Sequence, residues 1–250
     1  LLKLRFAFPD QIVDINNIPG LDYIRFDADG SLHIGALVRH EHLEKSAEIA
    51  KRQPTIAAAA PLVADPIVRV RGTFVGSVCH ADPQGDWAAT MIALNGSIVV
   101  QGPKGKRTIA MKDFVLGPYA NSLNYNEIAI EAVIPAPKGI ARGGYLKLER
   151  RVGDFATASV AVALDMNGDT VLGAGFALAG VGGKTIDANE AASALIGQKL
   201  TEATIAKAAA LVAAKAEPRT DHRGSAEYKR HIIETFVKRI LVANSAQKVA

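Results

Sequence analysis

Between Asp65 and Asp86 the chain reads DPIVRVRGTFVGSVCHADPQGD, and the residue types in that stretch suit the binding of a phosphate-bearing group. Charged residues approach it (Asp65, Arg69, Arg71), small residues turn it (Gly72, Thr73, Gly76, Ser77), and polar residues leave it (His80, Asp82, Gly85, Asp86) directly before an apolar helix. Glycines let a backbone come close to a ligand, while the Thr73 and Ser77 hydroxyls and backbone N–H groups can donate to an anion. The stretch carries neither the Gly-Lys-Ser/Thr ending of a Walker loop nor G-x-G-x-x-G spacing. Spacing therefore leaves two readings open: a cradle for a phosphate or phosphate-bearing cofactor, or a glycine-bearing turn between strand and helix.

Other chemistry-bearing residues favour structural readings. His33, His40 and His42 lack a third ligand, and the His40-Glu41-His42 run opens a charged helix, so these histidines read as solvated rather than metal-binding. A single cysteine, Cys79, excludes an internal disulfide and leaves no zinc or iron–sulfur ligand set. It reads as a small packed side chain beside the loop. Trp87 reads as core. Gly173, Gly175, Gly180, Gly182 and Gly183 read as close packing within and after a strand, not as a second phosphate loop.

The elements that must position these residues follow from hydrophobic periodicity. A short strand is predicted over 11–15 and a β-hairpin over 23–37 around Asp29-Gly30. Helices follow from 41 and over 55–62, with Pro61 and Pro66 bounding the entry to the loop. After it comes an apolar helix over 87–95 for which Asp86 is a candidate cap. A second hairpin spans 97–110, then a helical turn over 111–115 and a strand over 127–134. The stretch 135–144 (PAPKGIARGG) is the best domain boundary. Beyond it lie strands over 145–150, 156–166 and 170–179, and helices over 187–195, 201–214 and 225–242. Thr201 with Thr204 resembles a capping box without the usual Glu or Gln. This is an α+β pattern.

The loop, once read residue by residue, resembles the signature of the FAD-binding medium subunit of molybdenum hydroxylases, the group that includes carbon monoxide dehydrogenase and the flavin domain of xanthine dehydrogenase. The family pattern is roughly D-x-Q-[VI]-R-x-x-G-T-[IL]-G-G-[SN], then H-A-D-P and an Asp ahead of a helix. Asp65, Val68, Arg69, Gly72, Thr73, Gly76, Ser77, the His80-Ala81-Asp82-Pro83 block and Asp86 match it. Pro66-Ile67 stands where x-Gln is usual, and Val75 replaces the first glycine of the pair, narrowing the backbone's options there. The run from Phe114 to Tyr119 resembles F-F-x-G-x-[YF], and that from Asp221 to Arg230 resembles D-x-R-G-S-A-E-Y-R-R, read here as a structural joint.

The resemblance covers essentially the whole chain, and it implies a two-subdomain (PCMH-like) FAD-binding domain over 1–137 followed by a smaller α+β domain over 141–250, an antiparallel sheet with helices. It implies FAD as the cofactor of this chain, with Ala64, Gly72, Thr73, Gly76, Ser77, His80, Gly85, Asp86, Ala129 and Lys147 as cofactor-binding residues. Gly72, Thr73, Gly76 and Ser77 would line the diphosphate side; Asp86 would accept from a flavin donor and Lys147 donate to an acceptor. Ala129 stands where a Leu beside the flavin is usual. Molybdenum–pterin and two-iron two-sulfur clusters are expected in a large and a small partner subunit, with a dimer of heterotrimers allowed. The family's A-G-G-T/Q-D/S loop does not precede LLKLRFAFPD, so the sequence is expected to lack the N-terminal part of the FAD domain. That expectation keeps a flavin-free docking subunit as the alternative. A stand-alone flavin oxidase of the vanillyl-alcohol type lacks support, because no extended substrate domain is evident.

Composition excludes little else. At 250 residues and 49% hydrophobic the chain can bury real cores. Its longest apolar run, 56–64, is too short for a bilayer and contains Pro61, so a cytoplasmic protein is expected. A net charge of +4 is spread among Asp and Glu with no basic run interleaved with aromatics, which sets nucleic acid aside.

Overall fold

The computed structural model describes residues 8–245. The first hairpin forms as its Asp29-Gly30 turn predicts: β1 (Ile24–Phe26) and β2 (Leu32–Gly35) pair antiparallel, with Gly30 at φ +92°. Residues 11–15 are not a strand; Ile12 and Val13 point into solvent, and no sheet edge takes them up.

A series of short helices follows: α1 (His40–Lys45), α2 (Ala47–Arg52), α3 (Pro54–Ala59), a 3-10 turn (Ala60–Leu62), α4 (Pro66–Arg69), α5 (Phe74–His80) and α6 (Asp86–Ala93). Proline sets several of these starts, since it has no N–H to give and sits best in a first turn. Then come β3 (Ser97–Gly102), β4 (Gly105–Ala110), α7 (Met111–Phe114), the small ribbon β5 (Val115–Gly117) and β6 (Ala120–Asn121), and β7 (Ile128–Ile134). These build a five-stranded antiparallel sheet in the order β1-β2-β7-β3-β4.

The second half is a four-stranded antiparallel sheet, β11-β10-β9-β8, from β8 (Ile140–Leu148), β9 (Ala158–Asn167), β10 (Thr170–Ala179) and β11 (Ile186–Asp187). β8 starts at Ile140, so only the first part of the expected linker lies outside a strand. The expected helix over 187–195 is a 3-10 turn, Asn189–Ala194. α8 (Glu202–Ala214) and α9 (Ala226–Ser245) complete the fold. α8 does carry a capping box: Thr201 and Thr204 exchange backbone N–H bonds through their hydroxyls, so a threonine does what Glu usually does.

The second sheet is the centre of the molecule. Val160, Val162, Leu164, Phe176 and Leu178 face α8 and α9 in one core. The alternate residues Tyr145, Ala161, Ala177 and Ala179 face the other way, into the core formed with α3, α5 and α6. Period-two alternation thus puts large residues on one face and small ones on the other. The small face lets helices approach closely: a Cβ on Gly175 would stand 1.9 Å from the Ala93 carbonyl oxygen of α6. Gly173, Gly180 and Gly182 are likewise closely packed, as expected, whereas Gly183 is not: a Cβ there would meet open space.

Candidate functional site

The polar stretch is less of an open loop than its sequence implies. Asp65 caps α4, its Oδ1 accepting from Val68 N at 2.8 Å, and Thr73 caps α5, its Oγ1 accepting from Gly76 N at 3.2 Å. Only Val70 to Thr73 separates the two helices, so Gly76 and Ser77 lie in the first turn of α5. Backbone donors are largely taken: Phe74 N donates to Val38 O and Ser77 N to Thr73 O. Val75, the departure from the family pattern, is helical and buried, so its Cβ is accommodated without strain.

Arg69 shapes the entry. Its Nε donates to Glu44 Oε2 at 2.8 Å and its Nη1 to the carbonyls of Val63 and Ala64, both at 3.1 Å. Ala64 is held at φ +48°, a left-handed conformation that costs a non-glycine residue free energy. Gly153, at φ +83°, packs so closely that a Cβ there would lie 3.0 Å from Ala64 O. The exit turns on Ala81 at φ +51° and on Asp82, whose Oδ1 accepts from Gln84 N at 2.8 Å.

Asp86 does not cap its helix; Gly85 does, without a side-chain bond. Instead the buried Asp86 carboxylate turns to β8, where Tyr145 Oη donates to Oδ1 at 2.6 Å and Lys147 Nζ to Oδ2 at 3.2 Å. Lys147 is buried: its side chain is 1% exposed, and Nζ also donates to Leu62 O at 2.8 Å and stands 3.5 Å from Glu149 Oε2. Burial pushes the Asp86 carboxyl up, a shift opposed by Lys147 and the Tyr145 bond, and burial with the Asp86 charge drives the Tyr145 phenol well above its ordinary value. Tyr145 and Lys147 reach one carboxylate because residues two apart on a strand share a face.

His40 corrects the reading of a solvated histidine. It is buried, and its Nδ1 accepts from Trp87 Nε1 at 2.9 Å. Burial, with Arg69 and Arg39 nearby, lowers its pKa to about 4. Trp87 is fully buried, as its core reading predicts. Burial pushes the Cys79 thiol up to about 12, which leaves it inert. Among the described residues, no group of three or more His, Cys, Asp or Glu side chains could hold a metal ion.

One cavity of about 450 Å³ brings together Ala64, Gly72, Thr73, Gly76, Ser77, His80, Gly85, Asp86 and Lys147. Ala129 is not among them. It lines an adjoining cavity of about 400 Å³ whose wall shares Thr73 and Gly76 with the first and also carries Arg39 and Arg71. Sequence reasoning missed His40, Gly153, Asp154 and Phe155, which also line the first cavity. The last three lie in a short loop between β8 and β9 with no periodicity to mark it; Phe155, half exposed, offers an aromatic face there.

The chain has known counterparts. Residues 1–137 match the family described as the FAD binding domain in molybdopterin dehydrogenase, and residues 144–243 match the CO dehydrogenase flavoprotein C-terminal domain. The chain belongs to the FAD-binding medium subunits of the molybdenum hydroxylases. It is 38% identical over 243 residues to the carbon monoxide dehydrogenase medium chain of Hydrogenophaga pseudoflava, which covers 97% of this chain and 84% of that one. It is 34% identical over 255 residues to the nicotine 6-hydroxylase medium subunit of Paenarthrobacter nicotinovorans, covering 99% and 86%. Its fold superposes on carbon monoxide dehydrogenase from Hydrogenophaga pseudoflava with a TM-score of 0.92 at 39% identity, over 99% of this chain and 86% of that one. As a medium subunit the chain has FAD as its cofactor and is a component of an oxidoreductase.

The cavity fits that cofactor. Its volume is that of a cofactor site, its walls carry Gly72, Gly76, Gly85 and Gly153, and Glu149 Oε2, buried 3.5 Å from the lining residue Lys147, has no hydrogen-bond partner among the described residues. No helix among the described residues is long and apolar enough to cross a membrane.

Proposed function

We propose that this medium subunit holds FAD in the seam between its two domains, 1–137 and 141–250, and relays electrons through it. The observation that carries this reading is the 450 Å³ cavity, into which the polar stretch of the first domain and β8 of the second both project side chains. FAD supplies the redox chemistry when bound, accepting electrons from a partner and handing them to an external acceptor. The chain's own residues bind and orient it, so none need act as a general acid or base.

Gly72, Thr73, Gly76 and Ser77 form the wall nearest the sugar–phosphate part of the cofactor. With few free N–H groups at the start of α5, that wall contributes close approach and hydroxyls more than backbone donation. Arg39 and Arg71 in the adjoining cavity supply positive charge on the same side, and Ala129 lines that side rather than the ring. Ala64, His80 and Gly85 frame the ring side. Asp86 and Lys147 act as a pair, each holding the other in position for the flavin's polar edge.

The electrons come from a molybdenum–pterin centre in a large subunit through two-iron two-sulfur clusters in a small one, and two such heterotrimers pair in the cytoplasm. Relatives named for carbon monoxide and nicotine share this subunit type, which fits a substrate chosen in the large subunit.

Purification of the full chain with its partners tests the reading. Visible flavin bands at one FAD per chain, with a larger and a smaller polypeptide, are the expected result, and Asp86→Ala should lower FAD retention. A colourless wild-type complex would overturn it in favour of a docking subunit.

A further inference from the structure

The cavity wall contains a hydrogen-bond donor that the protein itself leaves unused. An indole N–H can only donate, so the 2.9 Å bond from Trp87 Nε1 makes His40 Nδ1 an acceptor and puts the imidazole proton on Nε2. His40 is 3% exposed, and among the described residues its Nε2–H meets no acceptor. Nε2 stands directly behind Gly72, where a Cβ would come within 2.6 Å of it, and the ring lines the same cavity as Asp86 and Lys147. A donor that opens on the cavity without a protein partner is available to a ligand, and the fold fixes this one firmly: the Trp87 bond sets its tautomer, and His40 N donates to Gly72 O at 3.1 Å.

We infer that His40 is a cofactor-binding residue whose neutral Nε2–H donates past Gly72 to an acceptor atom of the bound FAD. The inference rests on the reading of the cavity as an FAD site. It assigns two further features a purpose. Residue 72 must lack a Cβ because that Cβ would stand between imidazole and ligand, and Trp87 is a positioning residue that keeps the proton on the nitrogen nearer the cavity.

The test uses the full chain, stripped of FAD and labelled with nitrogen-15 at histidine, with His40→Gln to identify the His40 resonance. Adding FAD should move the wild-type Nε2–H signal downfield and slow its exchange with water, and His40→Gln should weaken FAD binding by about fivefold, the loss of one neutral hydrogen bond. Trp87→Phe, which leaves the cavity lining untouched, should spread the His40 signal over both tautomers and weaken FAD binding in the same direction. If FAD binds while the Nε2–H signal neither shifts downfield nor gains protection, the inference is overturned and the FAD reading stands. If the wild-type chain takes up no FAD at all, both fall together.

Discussion

Lys147 is the only cation with an ion pair to Asp86 or Glu149 among the described residues, and it is shared between those two carboxylates in a place water scarcely reaches. Removing one partner of a buried pair leaves an uncompensated charge, at a cost of about 3–5 kcal/mol. Lys147→Met should therefore lower the urea-unfolding free energy by that order, whereas Asp86→Asn, which keeps the volume and can still accept from Tyr145, should cost distinctly less. Equal losses in the two variants would mean that Lys147 acts through packing rather than charge. His40 gives a pH signature of its own. Its folded pKa, about 4, lies below its ordinary 6.5, so between those values the unfolded chain binds a proton that the native chain does not. Stability from this group is then fully present above about pH 6.5 and drains away as pH falls towards 4, a loss on the order of 3 kcal/mol. Urea unfolding of wild type and His40→Gln at pH 7 and pH 4.5 checks the sign: the wild type should lose more stability on acidification than the variant does.

At the scale of elements, the contact between the two halves depends on small residues at alternate positions of β9 and β10. Every residue of α6 is buried, and its Ala93 carbonyl approaches Gly175 more closely than any side chain would permit. Thr55 of α3 makes the matching contact at the other side of β9, where its Oγ1 donates to Val162 O at 2.8 Å beside Gly143 of β8. Gly175→Ala should push α6 off the sheet, cost about 1–3 kcal/mol as overpacking does, and weaken FAD binding because α6 carries Asp86. Thermal melts with and without FAD would separate the two effects. Much of this layer was legible in the sequence: the hairpins at Asp29-Gly30 and over 97–110, the paired strands meeting near Asn167-Gly168, and the long C-terminal helices all carry local turn or period signals. What was not legible depends on tertiary partners. The apolar stretch at 11–15 has no sheet edge to join, Asp86 turns from its helix to Tyr145 and Lys147, and His40 finds Trp87 across 47 residues of sequence. The motif located the loop because its glycines and caps are local, whereas Lys147 could be named only through the family resemblance, because its partner Asp86 lies 61 residues away.

For the molecule as a whole, the cavity belongs to neither half alone, and the C-terminal signature is tied to it. Arg223 Nη1 donates to Phe155 O at 2.8 Å, and its guanidinium stands 3.6 Å from Asp154 Oδ1, so the turn before α9 holds the β8–β9 loop that closes the cavity. Lys229, buried and bonded to Asp221 at 2.7 Å and Arg219 O at 3.0 Å, anchors that turn in place. The reading of this charged run as a structural joint thus acquires a specific object, the wall beside Phe155. A cofactor held by both halves stabilises only the state in which they are docked, by about 2.7 kcal/mol when free FAD is a hundredfold above its Kd. Stripping FAD should lower the unfolding free energy by that order and should raise hydrogen exchange in α6 and in the loop at 151–156 before it does so in α8 and α9. Arg223→Met should imitate the loop part of this effect. Losing a charged hydrogen bond worth about 1.5–3 kcal/mol should shorten FAD residence roughly tenfold or more while the α8–α9 core keeps its exchange protection. If Arg223→Met instead melted the C-terminal core and left FAD release unchanged, the turn would serve the stability of its own domain, and the wall would have to be held from the other side by Arg69, through the Ala64 carbonyl on which Gly153 packs.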